Sequence, residues 1–78
     1  MTENDVAYLA TVGLRIRLYR IALGESQDAF ARRAGVSRVT LGAIERGEHG
    51  AGILTYRTLA AGLGRDIGEL LSEGEVLP

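Results

Sequence analysis

Seven arginines fall between Leu14 and Arg46, at positions 15, 17, 20, 32, 33, 38 and 46, against three acids, Glu25, Asp28 and Glu45, a local balance of +4. The whole chain of 78 residues carries a formal charge of -1, because residues 1–13 contribute -2 and residues 47–78 contribute -3. A cationic middle is thus flanked by acidic ends, which is where a surface for an anionic partner would lie. All nine basic residues are arginine, and the planar guanidinium fork can make paired hydrogen bonds to a phosphate or a guanine edge. Other chemistries lack their residues. There is no cysteine, so no thiolate, no disulfide framework and no Cys-based zinc site is available. The single histidine, His49, stands in the glycine-containing stretch Glu48 to Gly52. With no acid pair on a recognisable site and no phosphate-cradling glycine motif, no catalytic constellation, metal site or cofactor is expected, and the chain does not read as an enzyme.

The elements that must position these arginines are legible in Gln27 to Arg46, QDAFARRAGVSRVTLGAIER. Two short amphipathic helix patterns are separated there by Gly35 and Ser37. Ser26 can cap the first, with Phe30, Ala31 and Ala34 facing inward. Gly35 can take the left-handed backbone that closes that helix, Val36 can fold onto the core, and Ser37 can cap a second helix whose inward residues are Leu41 and Ile44. Ala31 carries a single methyl group where the two helices would cross, so their backbones can approach closely. The pattern is that of a helix-turn-helix.

This arrangement resembles the helix-turn-helix family of the lambda and Cro repressors, the xenobiotic-response-element family. Gly13, Ile16, Arg20, Gly24, SQ at Ser26 and Gln27, FA at Phe30 and Ala31, AGVS at Ala34 to Ser37, IERG at Ile44 to Gly47, LG at Leu63 and Gly64, and ELL at Glu69 to Leu71 follow the family pattern without gaps over about three quarters of the chain. The resemblance implies an all-α fold, a five-helix lambda-repressor-like DNA-binding domain with the helix-turn-helix at helices 2 and 3. A single domain over residues 1–78 is expected, with its core at 12–71 and a frayed tail at 72–78. It further implies a structural ion pair between Arg20 and Glu45. In the major groove the recognition helix would present Arg38, Val39 and Ala43 to base edges, while Gln27, Ser37, Thr40, Arg46 and His49 would contact phosphates. Arg38 is the expected reader of guanine and Val39 can pack on a thymine methyl. Gly42 in mid-helix costs roughly 1 kcal/mol against alanine, which suggests a close approach by DNA or by the core.

A first helix is expected from a cap at Asn4 or Asp5 to about Leu23, with Tyr8, Val12, Ile16, Tyr19 and Leu23 as its core face. Ala7, Ala10, Leu14, Leu18 and Ile21 form a second apolar stripe, a surface on which a second protein partner can dock through Leu14, Leu18 and Ile21. Glu25 stands where relatives carry an apolar residue, and Leu23 is the expected substitute for that contact. A fourth helix is expected at Ile53 to Leu63, with Tyr56, Leu59, Ala60 and Leu63 inward. A short fifth helix should follow a cap at Asp66 and Glu69 and end at Leu71. So small a domain buries only about 60% of its unfolded surface, and the family resemblance implies a homodimer through Leu54, Ile67, Leu70 and Leu71, to which Val76 and Leu77 of the tail can add. The expected function is that of a sequence-specific transcriptional regulator, a repressor or controller protein. It would bind double-stranded DNA as a homodimer on a pseudo-palindromic operator, with no residues left for a sensor domain. The alternative is an antitoxin-type protein-binding module that uses the outer face of helix 1, with DNA binding secondary. No signal peptide or membrane-spanning run is present, so a cytoplasmic, nucleoid-associated location and no membrane partner are expected.

Overall fold

The computed structural model describes residues 1–48 and 50–74 and contains α1 (Glu3–Ala22), α2 (Gln27–Ala34), α3 (Arg38–Glu45), α4 (Ile53–Leu63) and α5 (Ile67–Leu71), with no strand among the described residues. His49, Val76 and Leu77, expected at the DNA and dimer surfaces, lie outside these residues. α1 is the longest element and packs against α3, α4 and α5, while α2 packs on α3 and α4. Val12, Ile16, Phe30, Ala31, Leu41, Ile44, Leu59 and Leu63 are among the residues buried at the centre.

Local signals account for most boundaries. The hydroxyls of Ser26 and Ser37 accept from the Ala29 and Thr40 amides, at 3.1 and 3.2 Å, so each helix of the pair starts on a serine cap. Gly35 ends α2 at φ 78°, and its amide donates to the Ala31 carbonyl. Asp66 and Glu69 form the capping box of α5. At the amino end, α1 starts earlier than a cap at Asn4 or Asp5 would allow. Thr2 is the cap, its hydroxyl accepting from the Asp5 amide at 3.1 Å while the Asp5 carboxylate accepts from the Thr2 amide at 3.0 Å.

Gly13 sets how closely α1 approaches α3. A Cβ built there would lie 2.2 Å from the Ile44 carbonyl oxygen and 2.8 Å from that of Glu45. The two backbones therefore pack directly, with no side chain between them.

Three further expectations are corrected. Leu23 is the C-cap of α1 and is 49% exposed, because the chain has left the core-facing register; it does not replace the contact relatives make before the SQ pair. Leu70, expected at a dimer surface, is 0% exposed, since the inward side of α5 docks on α1 and α4. Ser72 and Gly74 are pinned rather than frayed. Arg15, buried on α1, donates to the carbonyls of Leu70 at 3.0 Å, Ser72 at 2.5 Å and Gly74 at 3.0 Å, and Tyr8 donates its hydroxyl to the Leu71 carbonyl. Arg15 thus satisfies carbonyls at the end of α5 that the short helix leaves without internal donors. Its position was a usable signal, because Tyr8, Val12 and Arg15 share one helical face.

Gly13→Ala is expected to destabilise by about 2 kcal/mol or more, since backbone atoms cannot give way as a flexible side chain does. Urea unfolding of the variant measures it.

Candidate nucleic-acid interface

The interface is built from the amino end of α2 and the length of α3, joined by a chain of polar contacts that begins on α1. Arg20 grips Glu45 with both edges of its fork, Nε to Oε2 at 2.7 Å and Nη2 to Oε1 at 3.0 Å. Both side chains are buried. The third arginine nitrogen, Nη1, donates to the Glu25 carbonyl at 2.7 Å and so also holds the loop between α1 and α2. The hydrogen bond to Glu45 raises the Arg20 pKa above its ordinary value despite the opposing effect of burial. The pair inferred from family resemblance is therefore present as a geometric contact, and it ties α1 to the end of α3.

Glu45 also orients Gln27. The Gln27 Nε2 donates to Glu45 Oε1 at 3.0 Å, and a carboxylate can only accept, so the amide oxygen must point the other way. There it accepts from Arg38 Nη1 at 3.3 Å. A buried ion pair on the inside thus sets the rotamer of a half-buried amide, and that amide touches the exposed arginine on the recognition helix. One amide hydrogen of Gln27 remains for an outside acceptor.

Gly42 makes room for this arrangement. A Cβ there would sit 3.1 Å from Arg46 Nη1 and 3.6 Å from Gln27 Oε1. What approaches Gly42 is therefore a pair of side chains, Gln27 and Arg46, and not core backbone. Gln27, Arg38 and Arg46 are brought together around α3. Ser37 and Arg38 are exposed at its first turn, Val39 is 74% exposed, and Thr40 and Ala43 are half-buried. The Ser37 oxygen accepts from the Thr40 amide at the helix cap, and its hydroxyl hydrogen is available to donate outward.

Sequence reasoning missed further ion pairs, two of them bordering this surface. Arg33 Nε and Nη2 bind the Glu25 carboxylate at 3.0 and 2.5 Å, Nη2 also reaches the Gly62 carbonyl at 2.8 Å, and the guanidinium lies over the Phe30 ring. The charge at Glu25 is thereby matched by Arg33 of α2, and the one signal in the sequence was a charge where the family resemblance implies an apolar residue. Arg46 Nε pairs with Glu48 Oε2 at 2.8 Å. Among the described residues no cluster of side chains could hold a metal ion, and no helix is long and apolar enough to cross a membrane.

A serine-capped helix pair with a left-handed glycine turn, set in a five-helix domain, defines a helix-turn-helix protein. A family model described as helix-turn-helix, HTH_3, matches residues 16–70. An uncharacterised HTH-type transcriptional regulator of Methanothermobacter thermautotrophicus is 37% identical over 51 residues, covering 65% of this chain and 74% of the relative. The restriction-modification controller protein C.AhdI of Aeromonas hydrophila superposes with a TM-score of 0.79 at 34% identity, covering 82% of this chain and 97% of that one. An HTH_3 family transcriptional regulator from Vibrio cholerae superposes at 0.77 with 36% identity over 82% of this chain and 36% of its own. The hypothetical transcription factor NHTF from Neisseria does so at 0.78 with 31% identity, covering 82% and 74%. The chain belongs to the HTH_3 helix-turn-helix family of transcriptional regulators, and its family and relatives are regulators rather than enzymes.

Two measurements probe the contacts. Removing either partner of the Arg20–Glu45 pair, as Arg20→Met or Glu45→Gln, is expected to cost about 3 kcal/mol, with the double variant losing much less than the sum because no uncompensated charge remains. Additive losses in urea unfolding would contradict the coupling. The hydrogen bond from Arg33 lowers the Glu25 pKa, so the folded value lies below the unfolded one. The pair's contribution is present above the unfolded carboxylate range and is lost as pH falls through the folded value. Glu25→Gln should therefore be less stable than wild type near neutrality and indistinguishable from it at strongly acidic pH.

Proposed function

We propose that this protein is a sequence-specific transcriptional regulator that binds a pseudo-palindromic DNA site as a homodimer. The observation that carries this reading is the tethered Arg38, an exposed forked cation on the first turn of α3 whose position is biased by the Gln27 amide. Arg38 reads guanine O6 and N7, Val39 meets an adjacent thymine methyl, and Ala43 packs farther along the groove. Gln27, Ser37, Thr40 and Arg46 take phosphates, and His49 is proposed to join them from its place in the sequence. The name of C.AhdI, a controller protein, supports the assignment to transcriptional control.

One recognition helix reads only a few base pairs, so a two-fold arrangement about one helical turn apart is the economical way to gain specificity. With Leu70 committed to the core, the proposed dimer surface centres on Leu54, which is 70% exposed beside the exposed Ile53, with the half-buried Ile67 and Leu71 at its edge. A second reading rests on the outer face of α1, where Leu14 and Ile21 are 41% and 50% exposed and flank the half-buried Leu18. That face fits a protein-binding module of the antitoxin type. Salt-dependent affinity for a palindromic duplex separates the two readings, since a binder of polypeptide alone shows none.

Selection from random duplex DNA should recover a two-fold site, and Arg38→Ala should relax one base position per half-site at a cost of about 1–3 kcal/mol. An unchanged selected sequence would remove Arg38 as the base reader. Sedimentation of Leu54→Glu should show monomers where the wild type is dimeric; a dimeric variant would relocate the interface.

A further inference from the structure

Arg46 is the only arginine assigned to DNA whose partner among the described residues is an acid. Its Nε lies 2.8 Å from Glu48 Oε2, and both side chains are more than half exposed, so the pair is open to an incoming anion. The arrangement is built by the backbone. Gly47 closes α3 at φ 72°, its amide donates to the Ile44 carbonyl at 3.0 Å, and the Glu48 amide donates to the Ala43 carbonyl at 3.0 Å. A Cβ at Gly47 would lie 2.7 Å from Ala10 Cα, so this turn is wedged against α1 and delivers Glu48 to a set place. The other end of the Arg46 guanidinium folds back over Gly42 toward Gln27, since a Cβ at Gly42 would be 3.1 Å from Arg46 Nη1. One end of the fork thus faces the proposed phosphate contacts while Glu48 occupies Nε. The same pairing raises the Arg46 pKa and lowers that of Glu48, each chiefly through the hydrogen bond between them.

We propose that Glu48 is an internal substitute for a DNA phosphate, occupying Arg46 in the free protein and setting a ceiling on its affinity for duplex DNA. This rests on the reading of Arg46 as a phosphate contact. On binding, the phosphate displaces the carboxylate, and Arg46 exchanges one anion for another. The net gain from Arg46 is therefore smaller than that from an arginine with a neutral partner such as Arg38. Because phosphates carry no base identity, the brake acts alike on specific and unrelated sequences and holds down both.

The test measures duplex affinity, on the selected site and on an unrelated sequence, for the full chain and for Glu48→Gln, Arg46→Met and the double variant. Glu48→Gln is expected to tighten both complexes about two- to fivefold, the range set by an exposed ion pair. Arg46→Met should weaken both, and in its background Glu48→Gln should have no effect. Glu3→Gln, with the same change of net charge at the far end of α1, should leave affinity unchanged. Equal tightening by Glu48→Gln with and without Arg46, or none at all, overturns the proposal in favour of general charge or of no competition. Wild-type binding by Arg46→Met also overturns it while leaving DNA recognition through Arg38 intact. Absence of any duplex binding by the wild type would instead remove the functional reading beneath it.

Discussion

The Arg20–Glu45 pair is the constraint on which the rest of this structure depends. Two opposite charges taken out of water are tolerable only with near-ideal geometry and with their remaining hydrogen-bond capacity filled. Here the fork binds both carboxylate oxygens, the third arginine nitrogen takes the Glu25 carbonyl, and Gln27 adds a donor to Glu45. The pair therefore does more than join two helices. It couples the loop before α2, the first residue of α2 and the last residue of α3, which are the parts whose relative placement decides whether a recognition helix can enter a groove. Gly13 works in the same direction, because direct backbone packing of α1 on α3 leaves little freedom to slide.

The second fastening joins α1 to α5. A five-residue α5 has few internal hydrogen bonds, and its last carbonyls would be orphaned without donors from outside. Arg15 and Tyr8 supply them. Arg65, just before α5, lies over the Tyr19 ring of α1 and bonds Glu69, adding a contact to the same seam. α1 is thus fastened at one set of residues to the recognition helix and at another to the carboxyl-terminal helix. Part of the charge that composition alone would assign to a nucleic-acid surface is consumed in this way: Arg15, Arg20 and Arg33 of the cationic middle hold the fold, and Arg38 and Arg46 remain exposed at α3.

Much of this was legible from residue types because the signals are local. Ser26, Gly35, Ser37, Gly64 and Asp66 act through the backbone within a turn or two, so helix limits and the all-α class follow from short windows of sequence. The Arg20–Glu45 contact was legible through family resemblance, since residues 25 apart carry no local mark of their pairing. The carboxyl-terminal reading failed at Leu70 for the opposite reason. A five-residue helix has too few positions for periodicity to distinguish the inward leucine from an outward one, and only docking on α1 and α4 decides it.

What the sequence determined by itself is therefore the helix inventory, the glycine turn, the absence of thiol chemistry and the concentration of arginine around the two central helices. Tertiary structure alone decided which arginines are spent on the fold, which way the Gln27 amide faces, and that Glu48 rather than solvent meets Arg46. The first two are contacts between side chains brought together by packing, with partners chosen by distance and by the need of buried polar groups to be satisfied; the third depends on the turn at Gly47 and its seat against α1, and neither cause is written in the spacing of residues along the chain.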